Sequence, residues 1–485
     1  MLSTRLRFGK LLRSSVTRTL ASSFEPRESK GISEQIRGRR ISFSNILRIF
    51  EQLGDPGVEA WFALAVDGDY ELAKNRAEDA LARDPSSRFA HSALAEIAVF
   101  SSRFDIAAQH IQKAISYNPH NKWLRLTLAD IYVEGKELEK AISLLEESQD
   151  IPGLERHVYK RLARLYYRIG NLPASLFWQE KLVGLAPDYL VYASDYLLLA
   201  WLQLRVIADA DEALDTLKAA AQIYKRNPRI KEAILCLEKS TALETQDRAL
   251  YFGEDTAKSF LPQLSSTQAL KVEGFPKVSC IPVHTPLVTM HTDIISLIDA
   301  ATGTTREADD TVAISESVLA IAQGRAIPLE LVDPGPISRF LCKFVGKEGP
   351  LHSPEGMQGA VFEAGAVKIV VAATAGGLAR LSGRKGVFYK IAGPRCAMID
   401  DVAACMPPFD HHLILGPSNP DKFAEIAAAT LGCRVCVVDA NNKTGAWVVG
   451  ASKGVNRTSL EKVLRHNPAG NEDEQTPVVL IKGFK

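Results

Sequence analysis

Ala73, Ala107 and Ala141 stand 34 residues apart, and so do Ala95, Ala129 and Ala163. Gly68, Ser102, Lys136 and Gly170 keep the same step, as do Tyr70, Phe104, Leu138 and Leu172, while Pro85 and Pro119 close successive units. A period of this length constrains the fold more than any composition could. Each unit is a pair of helices that cannot bury its apolar face alone, so neighbouring units must stack. Small side chains let paired helices approach, an aromatic residue or leucine fills the gap beside them, and proline ends the unit. The pattern starts near residue 55. A fourth unit runs through "LARLYYRIGNLPASLFWQEKLVGLAPD". A fifth, stretched by several residues, runs through "DYLLLAWLQLRVIADADEALDTLKAAAQIYKRNP".

The stretch "GDYELAKNRAEDALARDP" (Gly68 to Pro85) resembles the second helix of a tetratricopeptide repeat. The resemblance implies an all-α superhelix over residues 55–235 that binds a protein partner, which the sequence does not name. Trp61, Trp123, Tyr166, Tyr167, Trp178 and Trp201 could line a peptide groove, but helix–helix core is the simpler reading of aromatics at this spacing. The charged residues between them read as solvated faces.

Composition narrows the rest. A chain of 485 residues with 46% apolar and 24% charged residues is an ordinary globular composition, long enough for two or three domains. A net charge of +1 gives no global pull toward nucleic acid or an anionic membrane. No uninterrupted apolar run reaches the roughly 18 residues of a transmembrane helix. Seven cysteines, thinly spread, do not make a secreted disulfide framework. Residues 1–54 differ: Arg5, Arg7, Lys10, Arg13 and Arg18 precede the first acid, Glu25. This segment reads either as a basic tail on a cytoplasmic protein or as a mitochondrial transit peptide.

Beyond residue 235 the helical period fades, and residues 236–270 read as a helical linker. The remainder, 271–485, is expected to be an α/β or α+β domain. Short Val- and Ile-rich runs bounded by Gly, Pro, Asn and Asp read as strands. They are "KVSCIPVHTPLV", "TVAISESVLAIAQG" (strand into helix), "AVKIVVAAT", "GVFYKIAG", "HHLILGP", "CRVCVVDA", "AWVVGAS" and "PVVLIKGF". "NPDKFAEIAAATLG" and "NRTSLEKVLRHN" read as helices, the first with Asn419 as cap, Pro420 at the first position and Gly432 past its end.

This half contains no phosphate-loop, serine-elbow or His-Glu-x-x-His motif. Cys433 and Cys436 have CxxC spacing, but side chains three apart on a strand face opposite sides. His411-His412 reads as a turn. "TAGGLARLSGRKG" reads as a glycine-rich basic loop, for an anion or for solvent. Acids at strand ends are the better lead: Asp400 and Asp401 after "RCAMI", and Asp439 after Val435 to Val438. Such carboxylates can hold Mg²⁺ or Mn²⁺ against substrate phosphates, or can simply cap turns.

From about Lys271 to Phe484 the chain resembles the coenzyme F420-0:L-glutamate ligase (gamma-glutamyl ligase) family. The resemblance rests on "VEGFP", "HTDIISLI", "DTVAISESVLAIAQGR" (Asp310 to Arg325), "VVDANNKTGAWVVGASKGVN" and the closing "GNEDEQTPVVLIKGF". It implies a GTP- and divalent-metal-dependent ligase joining glutamate to a small carboxylate such as F420-0. Asp439, with Asp400 and Asp401, would be the metal ligands, and Asn441 would orient the metal or a phosphate. Glu316, Gln323 and Arg325 would line the pocket. Relatives often form homodimers, a state no residue here specifies. Two departures stand out. The family's Lys-Ala-Glu-Gly-Arg is Ile321-Ala322-Gln323-Gly324-Arg325 here, and its Asn-Ala-Gly-x-Asp segment has no copy. They leave open a ligase with another acceptor, or a non-catalytic scaffold whose ligase-like fold binds a ligand.

Overall fold

The computed structural model describes residues 43–186, 191–225, 227–241, 269–272, 274–345, 349–381, 383–384, 386–400, 405–441, 445–470 and 475–484. Residues 45–485 form one compact unit. Most of the basic N-terminal segment, and residues 242–268 of the expected linker, lie outside the described residues.

The first half is a run of antiparallel helix pairs. After α1 (Ser44–Glu51) come α2 (Val58–Phe62, continued by a π turn at Ala63–Asp67) with α3 (Tyr70–Arg83), and α4 (Arg88–Phe100) with α5 (Phe104–Tyr117). α6 (Trp123–Glu134) pairs with α7 (Leu138–Glu147), α8 (Glu155–Ile169) with α9 (Leu172–Val183), and α10 (Ala193–Leu202) with α11 (Ala210–Ile223). α12 (Pro228–Thr241) packs on α11. The repeated positions have separate physical jobs. Ala73, Ala107, Ala141, Ala129 and Ala163 are fully buried where helices touch. Gly68, Ser102, Lys136 and Gly170 all adopt left-handed backbone, with φ of 69°, 57°, 64° and 84°. That conformation turns the chain out of one helix so that the next can start two residues later. Ala208, at φ 55°, holds this place in the fifth pair. It lies 38 residues after Gly170 (208 − 170), so the extra length of the fifth unit falls between them. Trp61, Trp123, Trp178 and Trp201 are buried between helices, which fits the core reading.

The second half is built on a six-stranded mixed sheet in the order β1-β2-β8-β3-β6-β7. Its strands are β1 (Leu270–Val272), β2 (Phe275–Val283), β3 (Thr311–Ser315), β6 (Arg434–Asn441), β7 (Gly445–Ala451) and β8 (Val478–Lys482). β3 and β6 are parallel, and every other pairing in this sheet is antiparallel. A small second sheet pairs β4 (Ala326–Pro328) with β5 (His412–Ile414). Alternation along the central strands fills two cores. Val312, Ile314, Val435 and Val437 face α13 (Ile294–Thr302), α14 (Glu316–Ala322) and α20 (Pro420–Leu431). Ala313, Cys436 and Val438 face α21 (Arg457–Val463) on the other side. Cys433 and Cys436 belong to these different cores.

Between the sheets lie α15 (Pro336–Leu341), α16 (Pro354–Ala364), α17 (Ala366–Leu381), α18 (Val387–Ala392) and α19 (Pro394–Ala397). Here two strand expectations fail. "AVKIVVAAT" lies in α17 and "GVFYKIAG" in α18, and of the expected glycine-rich loop "TAGGLARLSGRKG" the part from Thr374 to Leu381 is the second half of α17. A short apolar, β-branched run has no period that separates helix from strand, and Gly376 lies close against Phe388 of α18 and marks a close helix contact here instead of a turn.

Candidate functional site

The parallel pair places acids side by side. Ser315 closes β3 opposite Val438 of β6, so the next residues, Glu316 and Asp439, emerge at the same ends of adjacent strands. Glu316 is the first residue of α14 and is buried at 4% exposure. Asp439 is half-buried on the face of Val435 and Val437, with Trp447 as its cross-strand neighbour. Asp400 arrives from the chain after α19. Its backbone N–H donates to the Ile414 carbonyl (3.1 Å), and the Ser317 hydroxyl donates to its carboxylate.

Two of these carboxylates act on the third. Burial, then the charges of Asp400 and Asp439, hold the Glu316 carboxyl well above the ordinary carboxylate range. Burial also raises Asp439. The Cys405 thiol is pushed far up by burial and then by Asp400, Asp410 and Glu316. The arrangement concentrates negative charge where substrates meet open α/β sheets, at the carboxyl ends of parallel strands.

The other expected residues are placed differently. Gln323 exchanges two hydrogen bonds with Ser418, accepting from its N–H (2.7 Å) and donating to its carbonyl (3.1 Å). Arg325 is fully buried, donates from Nε to the Gly416 carbonyl (2.6 Å) and pairs with Glu363, which also meets Arg395 at 3.1 Å. Between them Gly324 has φ 71°, and a Cβ there would lie 2.0 Å from the Ala65 carbonyl. Gln323 and Arg325 thus fasten α14 to its surroundings, while Glu316 at the opposite end of that helix meets the acids. Asn441 pairs through its backbone with Gly445 at the end of β6, and Asp401 lies outside the described residues.

A second cluster was not legible as a site. The first helices of successive pairs meet the C-terminal half. Phe100 of α4 meets His291 edge to face, Asn121 just before α6 donates to the Glu330 carbonyl (2.8 Å), and Thr127 of α6 meets His411 (3.3 Å). Arg161 of α8 forks onto both oxygens of Asp410 (2.6 and 2.7 Å) and both of Asp130 (2.9 and 2.8 Å). His157 Nδ1 is 3.2 Å from Asp410. Among the described residues, Asp130, Asp410 and His411 form the group whose ligating atoms come within 4.8 Å of one another. The Arg161 guanidinium already supplies the cation there. Burial would raise Asp410, but Arg161 and the hydrogen bonds hold it well below the usual range. Burial outweighs Asp410 at His157 and pushes it down to about 4.

This corrects the solvated-face expectation, because Arg156, His157, Lys160 and Arg161 are all buried. The available signal was their spacing in "ERHVYKRLARLYYRI", which puts a cationic stripe on one side of a helix. His411 is likewise a buried seam residue.

A family model described as tetratricopeptide repeat matches residues 101–152. The N-terminal half carries tetratricopeptide repeats. Among solved structures, the chain is similar to MamA, at 17% identity over 33% of this chain and 92% of that one, with a TM-score of 0.29. It is also similar to PilF of Pseudomonas aeruginosa, at 22% identity over 44% and 94%, with a TM-score of 0.31. A third is YrrB, described as a TPR protein with an unusual peptide-binding site, at 15% identity over 40% and 97%, with a TM-score of 0.29. No curated protein matches the chain. Tetratricopeptide repeats are protein-interaction elements, and here their first helices contact the same chain's C-terminal half.

Proposed function

We propose that the C-terminal half is an acid–amino-acid ligase that uses the carboxylates of Glu316, Asp400 and Asp439 to hold a divalent cation and the phosphates of a nucleotide. The observation that carries this reading is the approach of these three acids at the carboxyl ends of β3 and β6, with Glu316 raised by burial and then by the other two. Mutually repelling oxygen ligands are the donor set that Mg²⁺ or Mn²⁺ takes. Asp401 and Asn441 adjoin them in sequence and complete the candidate set.

The resemblance to gamma-glutamyl ligases supplies the chemistry. A carboxylate is a poor electrophile. Transfer of the terminal phosphoryl group of GTP to it gives an acyl phosphate and GDP. Attack by the glutamate amine then forms the C–N bond and releases phosphate. Incubation of the full chain with GTP or ATP, Mn²⁺, glutamate and F420-0, read by mass spectrometry, tests this. The expected result is a product heavier by one glutamyl residue, absent with Asp439→Ala. No added mass with either nucleotide sinks the specific activity.

A non-catalytic scaffold is the second reading. It is favoured by the internal engagement of Gln323 and Arg325, two of the residues expected to line the pocket. Calorimetric titration with GTP and Mn²⁺ separates the two, since a scaffold with a degenerate site binds neither.

A further inference from the structure

α17 is an apolar helix with a face that stands exposed among the described residues. Val367, Val370, Val371 and Leu378 are 81%, 41%, 53% and 64% exposed, at spacings that put them on one side of the helix. α15 packs against α17, and it carries Phe340, with Phe344 just beyond, at 59% and 65% exposure. Bulky side chains concentrated this way mark a surface that something covers.

Charge bears on what covers it. From Ala364 to Ile399 the chain has six basic residues (Lys368, Arg380, Arg384, Lys385, Lys390 and Arg395) and no acid. Lys368, Arg380, Arg384 and Lys390 are exposed, as is Lys343 beside Phe344. The net charge of +1 conceals this local excess. A second copy seated on the same face would bring two basic rims together. The chain's own N-terminal residues 1–42 are a poor cover for the same reason, with ten Lys and Arg against three Glu. Aliphatic and aromatic side chains projecting from a helix between lysines and arginines suit an anionic lipid surface.

The geometry excludes a span. No single described helix is long and apolar enough to cross a membrane. α16 and α17 together have the length and composition, but they meet at 113° and α16 is buried within the fold.

We infer that α17, with Phe340 and Phe344, lies flat on an anionic membrane surface, its valines and leucine in the acyl boundary and its basic residues at the headgroups. The test is flotation of the full chain with vesicles of phosphatidylcholine, with and without about 30% phosphatidylglycerol. The expected result is co-flotation with the anionic vesicles alone, lost at high salt. Val371→Glu with Leu378→Glu lowers the bound fraction by more than about tenfold. Both positions are solvent-exposed, so circular dichroism melting stays unchanged. Arg384→Gln and Lys390→Gln each weaken binding about fivefold. Absence of binding at low salt overturns the inference. So does binding that the Val371 and Leu378 substitutions leave intact, which would assign it to the basic N-terminus. A dimer seen by light scattering and abolished by those substitutions, without vesicle binding, would assign the face to a second copy.

Discussion

Two groups of acids are drawn together in this molecule, and they are treated in opposite ways. At the seam between repeats and sheet, Asp130 and Asp410 share the guanidinium of Arg161, and Asp410 is held ionised although it is buried. At the ends of β3 and β6, the charges acting on buried Glu316 are those of two further acids, Asp400 and Asp439. A buried carboxylate with an internal cation is finished structure. One raised by other acids is poised to take a proton or a cation from outside. Compactness of ligating atoms alone would have picked the seam as the metal site. Charge balance points to the strand ends.

The comparison is broken most sharply at Arg161. Arg161→Ala strands two carboxylates in the seam, and the expected loss is about 3–5 kcal/mol of stability in urea unfolding. A loss below about 1 kcal/mol would mean that Asp130 and Asp410 are not tied by that cation.

A second contrast lies within the seam. Half-buried Glu96 of α4 is pushed up to about 7 by burial and then by Glu330 across the seam. Its folded pKa exceeds the unfolded value, so its contribution to stability is fully present below about pH 4.5 and is lost as pH rises through about 7. Glu96→Gln should remove a pH-dependent loss on the order of 2 kcal/mol between those limits, measured as the difference between the two unfolding profiles. Parallel profiles would show that neither burial nor Glu330 raises Glu96 in the folded chain.

The last effect belongs to the strand ends. Glu316→Gln removes a repelling acid in place of a neutralised one. The variant should match wild type near pH 4, where the carboxyl is protonated in both states, and be the more stable of the two near pH 8, read from the two urea-unfolding profiles. A destabilised variant at pH 8 would place Glu316 among the satisfied structural acids.

The repeats were legible because every repeated position serves a single local purpose. An alanine at a helix contact or a residue in the left-handed turn recurs wherever that purpose recurs, and Lys136 shows that the position persists even when glycine is absent. The central strands were legible for the same reason, from two-residue alternation. The strand-end acids could be suspected from Asp439 and Glu316, but their meeting depends on the parallel register of β3 with β6, which neither strand encodes alone. Of the seam, only the basic stripe on α8 could be read, and its partners could not. Arg161 and Asp410 are 249 residues apart, and each looks like an ordinary surface charge until the other half of the chain buries it. Valines in α17 misled because a β-branched run reads as a strand, and only the exposure at helical spacing reveals its form.

Calorimetric titration of Mn²⁺ into the full chain weighs the two acid groups directly. Wild type should bind, His411→Asn should bind as wild type does, and Asp439→Asn should lose binding. Absence of binding by wild type, or loss at His411 with retention at Asp439, would contradict the assignment of the strand-end acids as the cation site.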